Sequence, residues 1–109
     1  MTVNEFSKKY ELKPLSLGAD CEIQGGFTGD LLSWVMSNAQ ESTVWFTVMG
    51  NINAVAVASL NEIACIVLCQ SSNIMPDALD KAKEEGINIF STQKSCFEMC
   101  GLLYGDLKN

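Results

Sequence analysis

Four polar segments hold the side chains that could engage a ligand: GGFTGD at 25–30, GNIN at 50–53, QSSN at 70–73 and STQKS at 91–95. They supply hydroxyls, carboxamides, glycine backbone and a single lysine, Lys94. Such groups bind rather than react, because hydroxyls and amides satisfy a ligand's hydrogen bonds and glycine lets backbone amides come close. Proton-transfer chemistry is poorly served. The sequence has no histidine, and so lacks the commonest general base, imidazole-dependent triads and most catalytic zinc sites. Asp30 is the only acidic residue of its segment and is expected in a first helical turn, complementing the dipole. Without a second carboxylate it forms no acid–base pair and no magnesium site. GGFTGD also lacks the lysine–serine ending of a Walker A loop and the spacing of a dinucleotide fingerprint. No catalytic residue, metal ligand or cofactor is therefore expected.

The 109 residues include 13 acidic and 7 basic ones, for a net charge of −6, and every basic residue is a lysine. Without arginine or a basic stripe, nucleic acid is not an expected partner. The five cysteines are odd in number and sit in apolar contexts such as ACIVLC at 64–69, which suits reduced, buried thiols rather than a disulfide framework. Cys96 and Cys100 fall about 6 Å apart on one helical face, whereas Cys65 and Cys69 lie roughly 13 Å apart along a strand. The amino terminus carries no signal-peptide stretch, and no run approaches the roughly 20 apolar residues that span a bilayer. A cytoplasmic protein with no membrane association is expected.

The elements that must position the polar segments follow from periodicity and punctuation. Thr2 and Glu5 form a capping box ahead of a short helix ending near Lys9; residues 12–17 read as extended and 21–24 as a second strand. The glycine loop at 25–30 feeds a helix to about Asn38, with Leu31, Leu32, Val35 and Met36 expected on one face. Residues 44–49, 63–68 and 87–90 read as strands, and 52–61 as an alanine-rich helix. Pro76 opens a helix that Gly86 stops, and a closing helix runs from Ser95 to about Tyr104 with Cys96, Met99, Cys100 and Leu103 on one stripe. Successive strand–helix units predict an α/β fold, a single domain over residues 1–109 with a mainly parallel sheet.

In such a sheet ligands lie beyond the carboxyl ends of the strands. The candidate ligand-binding residues are therefore Gly26, Thr28 and Asp30 in the glycine loop, Gly50, Asn51 and Asn53 in the next turn, and Ser91 and Thr92 after the last strand. Two tryptophans and five methionines offer more apolar surface than one small core hides, so a homodimer is expected.

DLLSWVM at 30–36, WFT at 45–47, NINAVA at 51–56 and INIFST at 87–92 together resemble the stand-alone DRTGG-domain proteins, small bacterial proteins labelled as HPr serine kinases. The likeness runs from about residue 2 through most of the chain, although the name-giving DRTGG string is absent. It implies an α/β domain related to the amino-terminal domain of HPr kinase/phosphorylase, regulatory rather than catalytic, sensing a nucleotide or small metabolite and acting through a dimer. No P-loop of the kinase's catalytic domain is present. The alternatives are an enzyme or accessory protein related to the HPr kinase, or a protein-interaction adaptor in a redox or fermentative complex.

Overall fold

The computed structural model of the chain describes residues 1–108. The elements run α1 Val3–Lys9, β1 Lys13–Ser16, β2 Gly25–Thr28, α2 Leu32–Asn38, β3 Thr43–Thr47, α3 Ile52–Leu60, β4 Cys65–Leu68, α4 Pro76–Glu85, β5 Ile89–Ser91 and α5 Cys96–Lys108. They form one five-stranded sheet in the order β1-β5-β4-β3-β2. Strands β2 to β5 are parallel neighbours, and only β1 is antiparallel, pairing Lys13 with Ser91 at the end of β5. The mainly parallel α/β domain read from the strand–helix repeats is the one observed.

Local chemistry explains the ends of the helices. Thr2 Oγ1 accepts from Glu5 N at 3.2 Å while Glu5 Oε1 accepts from Thr2 N at 2.9 Å, the reciprocal box expected of that spacing. Ser95 and Glu98 repeat the arrangement at the start of α5. Pro76 occupies the tolerated first turn of α4, and Gly86 ends it at φ 69°, a left-handed conformation that favours glycine.

The sheet is covered on both faces, so its strands need no polar alternation. Trp45, Ile66, Leu68 and Ile89 pack beneath α2, α3 and α4, whereas Val44, Phe46, Val67 and Phe90 pack beneath α1 and α5. Buried Asn88 ties down the segment after β1: its Oδ1 accepts from Gly18 N at 2.6 Å, and its Nδ2 donates to the carbonyls of Ala19 and Ala64. No helix among the described residues is long and apolar enough to cross a membrane.

Four local readings are corrected. Residues 21–24 make no second strand; Glu22 forms a single bridge with Thr2, and the strand begins at Gly25. The expected glycine loop is thus mostly strand β2, held in parallel register by Thr43 to Phe46. Glycine eases packing there, since a Cβ at Gly26 would stand 3.0 Å from Leu103 Cδ2 of α5. In α2 only Val35 is fully buried, while Leu31 precedes the helix and both it and Met36 face outward. Asp30 lies one residue further upstream, outside the first helical turn.

Candidate functional site

The parallel strands β2 to β5 all end at one edge, and the connections that leave this edge carry the polar segments. Strands β2, β3 and β4 lead into helices on one face, but β5 leads into α5 on the other. Adjacent β4 and β5 therefore send their connections in opposite directions, which opens a crevice at the switch point of an α/β sheet. A cleft of about 690 Å³ lies there. Its walls are the turn between α1 and β1 (Tyr10, Glu11, Lys13), the β4–α4 connection (Ser71, Ser72, Asn73) and the β5–α5 connection (Ser91 to Lys94).

The loops around the cleft are laced by their backbones. Gln70 N donates to Lys94 O and Ser71 N to Thr92 O, both at 2.9 Å. Glu11, Gln70 and Ser71, at φ 53°, 55° and 56°, hold left-handed backbone without being glycine. Such conformations cost free energy and persist where surrounding contacts impose them. Tyr10 is fixed too, its hydroxyl donating to Asp106 Oδ2 at 2.6 Å while Lys9 pairs with Asp106 Oδ1 at 2.7 Å. Lys13 and Lys94 approach from different walls, and neither forms an ion pair among the described residues.

Of the residues singled out in the sequence, Ser91 and Thr92 line this cleft. Thr92 Oγ1 accepts from Lys94 N, leaving the hydroxyl proton to donate. The others are not among the residues that line it. Asp30 accepts from Thr47 Oγ1 and Val48 N. Asn51 caps α3 by accepting from Ala54 N at 2.9 Å, and Asn53 is exposed in the first turn. Gly50 does allow a close backbone approach, but the approaching backbone is the protein's own: a Cβ there would overlap the Asn73 carbonyl. Gly26 and Thr28 line a second, apolar groove of about 360 Å³ between edge strand β2 and α5, together with Phe97, Cys100, Tyr104 and Leu107. Edge strand β2 and β5 are three strand spacings apart, roughly 14 Å.

Sequence reasoning missed Tyr10, Glu11 and Lys13, because nothing local shows that β1 returns antiparallel beside β5. Residues 70–73 were visible as a polar segment. Their partnership with residues 91–94 follows only from β4 and β5 being neighbours.

All five cysteines are free. Burial pushes the Cys65 and Cys69 thiols far up, and raises those of Cys21 and Cys100 as well. Thiols held protonated in this way are poor nucleophiles.

Fold and site together describe an open α/β domain with a polar cleft at its switch point. Among solved structures, the regulatory region of Clostridium perfringens pyrophosphatase, comprising CBS and DRTGG domains and complexed with the activator diadenosine tetraphosphate, matches with a TM-score of 0.74. The match covers 93% of this chain and 45% of that one at 8% identity, so the chain spans less than half of its neighbour and shares the fold of the matched part. The chain has a DRTGG-like fold, in agreement with the resemblance carried by its sequence. No protein-family model and no curated protein matches it.

Proposed function

We propose that the chain is a non-catalytic regulatory domain that senses a nucleotide or other small metabolite at the carboxyl edge of its sheet. The observation that carries this reading is the cleft at the β4/β5 switch point, walled by hydroxyls, amides and two lysines but holding a single carboxylate, Glu11. That set can hold a small molecule, and it contains neither a histidine nor a second carboxylate to pair with Glu11. The pyrophosphatase region of the same fold is complexed with a nucleotide activator, which makes nucleotides the first ligands to test. Ser91 and Thr92 are the sequence-derived candidates that contact the ligand in this reading. A thermal-shift panel of nucleotides and small metabolites tests it, because a ligand that binds only the native state raises the melting temperature. A panel in which nothing stabilises the protein counts against ligand sensing.

The domain also self-associates in this reading. Support comes from the apolar groove beside edge strand β2, where Phe97 is 88% and Tyr104 is 64% exposed. Free cysteines suit a reducing compartment, so a cytoplasmic location belongs to the same proposal.

A further inference from the structure

We infer that the β4/β5 cleft is a phosphate site: its ligand is a phosphate-bearing small molecule held between Lys13 and Lys94. The inference rests on the ligand-sensing reading above and adds the chemistry of the ligand.

The charge distribution points to it. In a chain of net charge −6 with seven lysines, two lysines line one cleft from separate elements. Lys9 is tied to Asp106 and Lys81 to Glu85, and Lys8, Lys83 and Lys108, without an ion pair among the described residues, do not line the cleft. An unpaired ammonium beside a concave, partly desolvated surface attracts anions more strongly than one on an open face. Each lysine offers up to three donors as a point charge, which fits the several oxygens of a phosphate group without the planar fork that a carboxylate favours.

The remaining groups complete a phosphate cradle. Ser71, Ser91 and Thr92 bring hydroxyls to the same space, and hydroxyls donate well to phosphate oxygens. Ser71 and the preceding Gln70 are held left-handed while their N–H groups lace this loop to the β5–α5 connection. The loop is thereby fixed before any ligand arrives, which lowers the ordering cost of binding. A volume of about 690 Å³ exceeds what a lone phosphate fills and lies within the range of cofactor and nucleotide pockets.

Glu11 is the one carboxylate in the wall, and it opposes a bare anion. Its presence makes an asymmetric prediction, which the Lys83 control separates from the effect of general surface charge. Removing either lysine weakens a phosphate probe, whereas neutralising Glu11 strengthens it. A ligand with hydroxyl donors next to its phosphate gains an acceptor in Glu11 that inorganic pyrophosphate cannot use.

The test is amide NMR of the 109-residue chain titrated separately with inorganic pyrophosphate, ATP and adenosine. Pyrophosphate and ATP are expected to shift the amides of residues 70–73 and 91–94. Lys13→Ala/Lys94→Ala should weaken both by about tenfold or more, the scale of a lost charge-assisted hydrogen bond. Glu11→Gln should tighten pyrophosphate, and Lys83→Ala on α4 should change nothing. All four side chains are exposed, so the variants keep the fold, and unchanged dispersion verifies this. Shifts that survive the double lysine variant, or that fall outside the cleft, overturn the inference. If adenosine alone shifts the cleft amides, the phosphate assignment is wrong and ligand sensing stands. If no probe shifts the cleft amides the phosphate assignment falls, and if the thermal-shift panel is silent too, ligand sensing falls with it.

Discussion

Thr47 Oγ1 donates to Asp30 Oδ1 at 2.5 Å across the carboxyl ends of β3 and β2. The same hydroxyl accepts from Met49 N at 3.1 Å, and Asp30 Oδ1 also receives Val48 N at 3.3 Å. One carboxylate and one buried hydroxyl thus fasten the β2–α2 connection to the β3–α3 connection. Asp30 acts as a latch between loops.

Breaking that latch should cost stability. Thr47→Val keeps the shape but leaves the latch without its donor, and a loss of about 1–2 kcal/mol is expected. Asp30→Ala should cost a similar amount. The double variant should cost less than the sum, since each single change removes the same bond. Urea denaturation of the four proteins checks this; strict additivity would show that the two side chains act independently.

Gly50 and Gly101 make a matched pair with opposite outcomes. A Cβ at Gly50 would overlap the Asn73 carbonyl, and the Gly50 carbonyl accepts Met75 N at 2.8 Å. Gly50→Ala must push the β3–α3 and β4–α4 connections apart, at about 1–3 kcal/mol. A Cβ at Gly101 on α5 meets nothing within 4 Å, so Gly101→Ala should stabilise by roughly 0.5–1 kcal/mol through helix propensity. Thermal unfolding of both variants is the measurement.

Other glycines show where the fold was readable and where it was not. Pro76 with Gly86 bracketed α4, and the Thr2–Glu5 spacing marked α1, because both signals act within one helical turn. The branched and aromatic runs of β3 and β4 stood out because both faces of the sheet are covered. Gly25 and Gly26 looked like a loop since glycine disfavours strands; at Gly26 the close approach of Leu103 from α5 favours the small residue, while Gly25 has only an ordinary contact with Thr43. The cleft was half visible for the same reason. Ser91 and Thr92 follow a strand that the sequence shows, whereas Lys13 reaches them only through an antiparallel pairing across nearly the whole chain.

Acid should loosen the junction between α1 and α5. The Lys9 ammonium and then the Tyr10 hydroxyl hold the Asp106 carboxyl below its ordinary range. A carboxylate depressed in the folded state contributes stability above its unfolded pKa of about 3.9, and that contribution is lost as pH falls through the folded value. Wild type should therefore exceed Asp106→Asn in stability near neutrality, and the gap should close as the pH is lowered below about 4. A gap that does not change with pH would show that the pair contributes nothing through ionisation.

Cysteine labelling separates buried from approachable thiols. Cys65 and Cys69 are fully buried, and burial raises both thiols far above the ordinary range. Short maleimide pulses at neutral pH, read by mass spectrometry, should leave these two unmodified in the native protein and modify all five after denaturation. Prompt labelling of Cys65 or Cys69 would mean that β4 opens locally.

In the proposed dimer, Phe97 is the residue on which self-association turns. It sits in the first turn of α5 with 88% of its surface exposed, beside Tyr104, Leu107 and the edge strand β2. A twofold axis along this side would set groove against groove, the self-complementary contact that closes a dimer. Aromatic side chains bury roughly 150–250 Å² each, and a stable interface needs about 800 Å² per partner, so the two rings supply a large share. Covering the edge of β2 would also remove a row of unpaired backbone groups. Light scattering at roughly tens of micromolar should give twice the chain mass for wild type. Phe97→Glu, exposed and therefore compatible with the fold, should give the single-chain mass with an unchanged circular dichroism spectrum. A monomeric wild type refutes the dimer, and a dimer that survives Phe97→Glu places its interface on another face.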